Sequence, residues 1–384
     1  MTTEEEKMYD GEYGWACQIS MRILTRLGDL FSATKLIPIK SAHLSGVSYK
    51  TLGDAPIEFL EELAKTAGKA RVEVTLNPSS LDPNLTKFSR NKHEKQRQII
   101  GLYKKMGADP TLTCTPYYLK QPLQGFHFAW AESSAVVYAN SVLGVYTNRE
   151  GSPSALAAAL VGKTPDYGMH RPENREPAVL VNVETRLRNE AEFGALGIRL
   201  GNLLNDKIPL LKGLPKHDND DLKQLGAAMA TAGMTTIFQT GKPVEKTWQE
   251  KVSVEREDIE NTMESLSTTA EQPDLVFLGC PHCSIEELEE AATFLEGKRV
   301  KDNLRLWICT SRWLKEKAEN YVNIVEEAGG HVVCDTCAIV TWLRDLGINS
   351  VMTNSAKTAY YAPTMNKVDA LFASLSECLE TACL

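Results

Sequence analysis

Two pairs of cysteines, Cys280-Pro-His-Cys283 and Cys334-Asp-Thr-Cys337, are the residues of this chain best equipped for chemistry. Each follows a short apolar run, Leu275–Leu278 or His331–Val333, of the kind that forms a buried strand. Thiols at such a turn have three uses. A C-x-x-C at a helix N-terminus is the arrangement of a thiol–disulfide oxidoreductase, because the helix end favours the thiolate. Two such pairs have the spacing of zinc ligands, although these lie on separate strand–helix units. Thiolates distant in sequence can also meet at a sheet edge around an iron–sulfur cluster. Buried, unreactive thiols remain the plain reading for Cys17, Cys309, Cys378 and Cys383.

Three further stretches suit an anion. The run Lys40-Ser-Ala-His-Leu-Ser-Gly-Val-Ser-Tyr-Lys50 reads as a loop after a strand at 36–39. Its Lys40, Ser41, His43, Ser45, Gly46 and Ser48 offer cations, hydroxyls and exposed N–H groups to a carboxylate or phosphate. A polar surface loop is the equally simple alternative. Asn148-Arg149 can clamp an anion bidentately or be a solvated loop. Ser355-Ala-Lys357 falls at an expected helix start, which is a natural anion position.

Elements that position these groups alternate strand and helix over most of the chain, which implies an α/β fold. The clearest are the last four strands, Leu275–Leu278, Leu304–Ile308, His331–Val333 and Ser350–Thr353. Each hands Cys, Thr/Ser or Lys to the loop past its C-terminal end, the edge at which open parallel sheets bind ligands. Asp54 is expected to start a helix carrying Ile57, Leu60 and Ala64, and Arg71–Leu76 and Thr111–Thr113 read as strands. Residues 92–106 and 133–147 read as helices, 164–176 as a surface excursion, and 369–384 as a terminal helix. The segments 1–150, 151–270 and 271–384 are the expected α/β subdomains, with 242–270 a charged boundary region. The 384 residues, 43% hydrophobic and 24% charged, belong to a folded protein of two or three domains. A net charge of -8 argues against a nucleic-acid partner, and no uncharged stretch is apolar enough for a membrane span. The start, Thr2-Thr3-Glu4-Glu5-Glu6, has no basic n-region, so no secretory signal is expected and the chain is placed in the cytoplasm.

Taken in order, these segments resemble the aconitase X family. The carriers are the Lys40–Lys50 loop with Leu52-Gly-Asp-Ala55, Thr113-Cys-Thr-Pro-Tyr117, Glu132-Ser133 and Asn148-Arg149. They continue with Gly279-Cys-Pro-His282, Asp335-Thr-Cys337 and Asn354-Ser-Ala-Lys357. The resemblance implies an aconitase-like core of parallel and mixed sheets flanked by helices, with the site at the C-terminal strand edges. It implies a hydro-lyase whose three cysteines, here Cys114, Cys280 and Cys337, hold an iron–sulfur cluster of 4Fe-4S type with one iron lacking a protein ligand. Cys283 and Cys334 stand close enough to leave the choice within each pair open. Ser41, His43, Asn148 and Arg149 fall on expected catalytic positions. Lys40, Ser45, Gly46, Ser48, Glu132, Ser133, Ser355 and Lys357 fall on expected substrate positions. The family acts on mevalonate 5-phosphate, in isoprenoid synthesis, or on cis-3-hydroxy-L-proline. Members acting on the amino acid carry His-Ile-Asp-Gly-Cys where this chain has His43-Leu-Ser-Gly-Val47. Ser45 in place of that Asp favours a phosphorylated hydroxy acid. No residue of the chain is a convincing general base. The resemblance therefore implies a partner, a small swivel-domain subunit that supplies one. Hydroxyproline dehydration is the alternative within this chemistry; a thiol–disulfide oxidoreductase or a non-catalytic iron-binding protein are those outside it.

Overall fold

The computed structural model describes residues 1–66, 69–85, 87–241 and 247–383. They form two compact units, Met1–Leu81 with Phe88–Glu176, and Asp82–Lys87 with Pro177–Leu384. Among the described residues no helix is long and apolar enough to cross a membrane.

The first unit holds β1 (Leu36–Pro38), β2 (Ser41–Leu44), β3 (Glu73–Leu76), β4 (Ala129–Trp130) and β5 (Lys163–Pro165). β1 pairs antiparallel with β5, while β3, β2 and β4 make a parallel sheet with β2 in the middle. Ala42, Val74 and Ala129 stand side by side and point into the apolar core, with Leu44 and Leu76. The helix Ser152–Val161, built largely of Ala and Leu, is buried along nearly its whole length, since small side chains let neighbours approach from every side. Gly162, at φ +79°, ends it. The helix Ala55–Thr66 buries Ile57, Leu60 and Leu63, and Arg90–Lys105 buries Ile99, Leu102 and Tyr103.

Three local expectations change. Ser41–Leu44, read as a loop, is a strand: Ala42 and Leu44 face the apolar core, and His43 between them is buried on the other face. Thr111–Thr113 is no strand; only Asp109 bridges to Thr75 there. The helix from Ser133 stops at Ser141. The excursion at 164–176 is tied down from within: the Arg175 guanidinium donates to the carbonyls of Val145 (2.9 Å), Asn140 (2.9 Å) and Met169 (3.2 Å) and lies over the Tyr146 ring.

The second unit holds two wholly parallel sheets. β6 (Val179–Val183), β7 (Pro209–Lys212), β8 (Gln239–Thr240) and β9 (Glu250–Val254) lie in the order β8-β7-β6-β9. β10 (Leu275–Leu278), β11 (Arg305–Cys309), β12 (His331–Val333), β13 (Ser350–Thr353) and β14 (Asp369–Phe372) lie in the order β12-β11-β10-β13-β14. All pairs in this sheet are parallel, so every C-terminal strand end falls on one edge. β14 replaces the first part of the expected terminal helix, which runs Leu375–Ala382. The charged stretch 242–270 contains β9 and the helix Arg256–Ser265; residues 242–246 lie outside the described residues.

The helices Glu190–Leu204 and Asn219–Ala232 pack backbone to backbone at Gly197, where a Cβ would stand 2.5 Å from the Leu225 carbonyl oxygen. One charge lies sealed beneath this layer. The Lys223 ammonium, with no exposed side-chain surface, pairs with Asp220 at 2.8 Å and with Glu287. Glu287 also accepts from the Ser284 N–H, at the start of the helix Ile285–Leu295. Burial pushes the Glu287 carboxyl up to about 7, with Lys223 pulling it back. Lys223→Met strands two carboxylates, and is expected to cost about 3 kcal/mol in urea denaturation. A loss under 1 kcal/mol (roughly the worth of an exposed pair) would mean that the ammonium contributes little.

Candidate active site

In the second unit the site is a product of strand order. The connection after β10 runs to β11 on one side, and that after β13 runs to β14 on the other. The reversal between β10 and β13 opens the crevice in which α/β sheets bind ligands. Cys280 follows β10 there and Ser355 follows β13. Gly279 makes the turn possible: its φ is +98°, and a Cβ would stand 2.2 Å from the Cys309 carbonyl oxygen.

The Ser355 hydroxyl donates to the Cys280 carbonyl and accepts the Thr358 N–H at 3.2 Å. It is therefore a clasp that fixes the Cys280 backbone, more than the anion donor expected from the sequence. On the β12 side, the Thr336 carbonyl accepts from the Cys309 thiol at 2.7 Å and faces the His282 Nε2 at 3.2 Å. A carbonyl only accepts, so Nε2 carries the His282 proton. These contacts hold the loops after β10, β11 and β12 in one layer.

Within this layer Cys280 and Cys337 sense each other. Burial pushes the Cys337 thiol up to about 12, and the Cys280 charge adds to that; the N–H groups of Val340 and Ile339 and the Lys357 ammonium oppose it. The other cysteine of each pair faces elsewhere. Cys283 packs in the apolar cluster with Leu278, Leu288 and Ile308, its N–H bonded to the Cys309 carbonyl at 2.8 Å. Cys334 donates its N–H to Asp82 at 3.1 Å and lies among Lys315, Asp335 and Arg312; burial pushes its thiol up to about 12. Asp335 itself is held at φ +63° and pairs with Arg312.

In the first unit the C-terminal edge of the β3-β2-β4 sheet carries a chain of hydrogen bonds. The Ser134 N–H (3.3 Å) and hydroxyl (2.6 Å) donate to Glu132 Oε1, and Asn77 Nδ2 donates to Oε2 at 3.1 Å. That orients the Asn77 carbonyl toward His43 Nε2 at 3.3 Å, so Nε2 carries the imidazole proton. Nδ1 is then the acceptor, and the Thr75 hydroxyl donates to it at 2.8 Å. Burial pushes the His43 pKa down to about 4, and the ring is neutral near pH 7. His43, expected as a catalytic residue in a loop, thus sits fully enclosed in the central strand with both nitrogens committed. Cys114 belongs to the same edge, since the Thr113 N–H bonds to the carbonyl of Leu76, the last residue of β3.

The expected anion loop is divided in the same way. Ser45, Gly46 and Ser48 lie beyond the C-terminal end of β2; Lys40 and Ser41 lie at its other end, roughly 13 Å away at the rise of a strand. The turn at Gly46 is fixed from both sides, by Tyr103 donating to its carbonyl at 3.1 Å and Ser152 donating to the Ser45 carbonyl at 2.6 Å. Gly46 has φ +72°, and a Cβ would meet the Ser152 hydroxyl at 2.6 Å. Asn148, expected to clamp an anion, spends its amide on the neighbouring turn, donating to the Tyr167 carbonyl (3.1 Å) and accepting from the Met169 N–H (2.7 Å). Arg149 bridges Trp130 on β4, and Ser133 opens the helix whose cap is Glu132.

Several contributors escaped the sequence reading. Thr75 lies within the strand expected over Arg71–Leu76 and Asn77 just past it, where neither residue type signals a role. Gln96 is fully buried, donates to the Val47 carbonyl (2.8 Å), and accepts from the N–H groups of Tyr49 and Ser80 (2.9 Å each). Its signal was available: a Gln three residues before Ile99 and seven before Tyr103 is on the buried stripe of its helix. Among the described residues no three His, Cys, Asp or Glu side chains gather closely enough to hold a lone metal ion.

Three family models cover the chain, the first, third and second domains of aconitase X matching residues 1–173, 273–384 and 177–264. The phosphomevalonate dehydratase large subunit of Methanocaldococcus jannaschii is 44% identical, covering 99% of each chain. That of Methanothermobacter thermautotrophicus is 44% identical over 96% of this chain and 95% of its own. The cis-3-hydroxy-L-proline dehydratase of Pseudomonas aeruginosa is 33% identical, covering 98% of this chain but 69% of its own length. The crystal structure of Thermococcus kodakaraensis aconitase X in its holo-form superposes with a TM-score of 0.93 at 39% identity, covering 100% of this chain and 99% of that one. Fold, end-to-end similarity and three consecutive domain matches agree that this chain belongs to the aconitase X family.

Proposed function

We propose that the chain is the large subunit of a phosphomevalonate dehydratase, a hydro-lyase that converts (R)-mevalonate 5-phosphate to trans-anhydromevalonate 5-phosphate and water. The observation that carries the reading is the contrast between relatives. Large subunits of that name match at 44% identity over nearly their whole length, while hydroxyproline dehydratases match at 33% and extend well beyond the shared region. The redox-pair alternative fits poorly, because Cys283 is packed into the apolar core away from solvent.

An iron–sulfur cluster suits the donor set. Cys280 and Cys337 are buried thiols near enough that a charge on Cys280 disfavours ionisation of Cys337, and a bound cationic centre would offset that. The Val340 and Ile339 N–H groups are placed as donors to sulfur, a feature that tunes such clusters. We assign Cys280 and Cys337 as ligands, with Cys114 as the third thiolate that family membership implies. When bound, the cluster supplies a Lewis acid for a hydroxyl leaving group. The chain's own residues do the rest. The fixed turn of Ser45, Gly46 and Ser48 offers N–H and hydroxyl donors to an anion without introducing negative charge. Lys357 and Arg149 add positive charge for the carboxylate or phosphate. Glu132 and Ser133 border the substrate, and His43, held neutral, keeps Asn77 and Glu132 in register. The small subunit implied by the relatives' names is the partner, and the assembly works in the cytoplasm.

The test is a dehydration assay with the anaerobically reconstituted chain and its small subunit on both candidate substrates. Turnover of mevalonate 5-phosphate is expected; turnover of cis-3-hydroxy-L-proline alone would overturn the assignment. Ser45→Asp is expected to cut phosphate-ester turnover at least about tenfold, because a carboxylate then faces an anion in poorly solvated surroundings. It is not expected to create hydroxyproline activity, which needs a whole pocket. Unchanged kinetics would remove Ser45 from the substrate's surroundings.

A further inference from the structure

The sheet of the first unit has a second face. Ser41 pairs with Glu73, and His43 with both Thr75 and Trp130, so these five side chains share the side opposite the core. Residues 116–123 cover it and leave a crevice enclosing about 200 Å³, space for on the order of ten water-sized atoms. Its walls are Pro116, Leu119, Pro122, Leu123, Phe128 and Trp130. Its neutral polar lining residues are Ser41, Thr75 and Gln121, and its charged ones gather where Ser41 and Glu73 begin β2 and β3. Lys40, Lys120 and Glu73 line it there, and Glu73 pairs with Lys120 at 2.6 Å, so the lining carries one net positive charge, on Lys40. The Lys40 ammonium sits 4.6 Å above the Phe126 ring, at the exposed rim. Inside, Trp130 Nε1 donates to the Ser41 hydroxyl at 3.3 Å, which leaves that hydroxyl's own proton to point at a ligand.

We propose that this crevice is a second small-molecule site, separate from the catalytic edge, which takes a single anionic head group on a short apolar chain. The head group pairs with Lys40 and accepts from Ser41; the chain lies against Leu119, Phe128 and Trp130. Three features support it. A concave, largely apolar surface with polar groups gathered toward one end is the general form of a ligand site. Among the described lining residues the net positive charge favours an anion over a neutral molecule of the same shape. The strand itself keeps Lys40 and Ser41 roughly 13 Å from Ser45, too far to serve the same small substrate. Thr75 lines the crevice, and its hydroxyl donates to His43 Nδ1 at 2.8 Å.

Binding is read without turnover, so the proposal stands or falls apart from the dehydratase reading. Titration calorimetry on the full chain uses hexanoate, hexyl phosphate, hexanol and inorganic phosphate as probes. Hexanoate or hexyl phosphate is expected to bind at least about tenfold more tightly than hexanol or inorganic phosphate, the tighter of the two naming the head group. Lys40→Met is expected to reduce the anion's affinity to that of hexanol. Leu123→Asp, at a well exposed position on the rim, is expected to weaken the anion by repulsion without disturbing the fold. Hexanoate and hexyl phosphate binding no better than hexanol would overturn the proposal, as would indifference to both substitutions. Strict competition between the bound anion and mevalonate 5-phosphate would place both in one site and equally overturn it.

Discussion

Cys280→Ser and Cys337→Ser are each expected to yield a folded chain without brown colour, without stoichiometric iron and sulfide, and without turnover. Serine is a hard and far less acidic ligand than cysteine, and it holds iron–sulfur clusters poorly. Cys114→Ser is expected to give the same triple loss. The contrast lies with the neighbours. Cys283→Ala removes a sulfur from the apolar cluster around Leu288 and Ile308, and Cys309→Ala removes a thiol that donates to the Thr336 carbonyl. Both are expected to lower stability modestly and to leave the iron content intact. Cys334→Ala, beside Asp335 and Arg312, is expected to behave likewise. Iron and sulfide analysis of anaerobically prepared protein decides it. Loss of the cluster in Cys283→Ala or Cys334→Ala, with retention in Cys280→Ser or Cys337→Ser, would reverse the assignment within the pairs.

The four strands from Leu275 to Thr353 were legible because each is a short run rich in apolar residues with Cys, Ser or Thr within two residues of its end, and a parallel sheet gathers such endings on one edge. The sequence could not separate Cys280 from Cys283, or Cys337 from Cys334. Both members of a pair have the same local pattern; in the structure Cys283 packs in the apolar cluster, whereas Cys334 lies among Lys315, Asp335 and Arg312. The Lys40–Lys50 run failed differently. Ser, His and Lys concealed the Ala42–Leu44 alternation of a strand, so residues at its two ends were grouped as one loop. β14 was hidden in a similar way, because Asp369-Ala-Leu-Phe372 is too short to show a period and precedes a true helix. Asn148 shows a third limit. Its residue type suits an anion, yet its amide is used up on a turn twenty residues along the chain, and such long-range accounting is invisible to spacing.

Adding a small subunit is expected to take the reconstituted large chain from no measurable dehydration to full turnover. The argument starts from the base that must remove a weakly acidic proton next to the carboxylate. His43 is the first candidate on residue type, but both its nitrogens are engaged and burial holds its pKa at about 4, so it is a poor proton acceptor with no access to substrate. Glu132 is the second. It accepts from Asn77, from the Ser134 N–H and from the Ser134 hydroxyl, and hydrogen bonds to the charged form of a carboxylate weaken it as a base. Glu150 is buried, and its carboxylate accepts from the Ser154 and Thr164 hydroxyls, which weakens it as a base. A group outside this chain is thus the better source of the base, in keeping with relatives named as large subunits. A partner that closes over the site would also exclude water and strengthen every charge interaction in it. The measurement is dehydration of mevalonate 5-phosphate by the cluster-loaded chain before and after addition of the small subunit, alongside the stoichiometry of the complex. Activity appearing only on mixing, with a stable complex of the two chains, is the expected result. Full turnover by the large chain alone would return the role of base to Glu132, and Glu132→Gln would then abolish it.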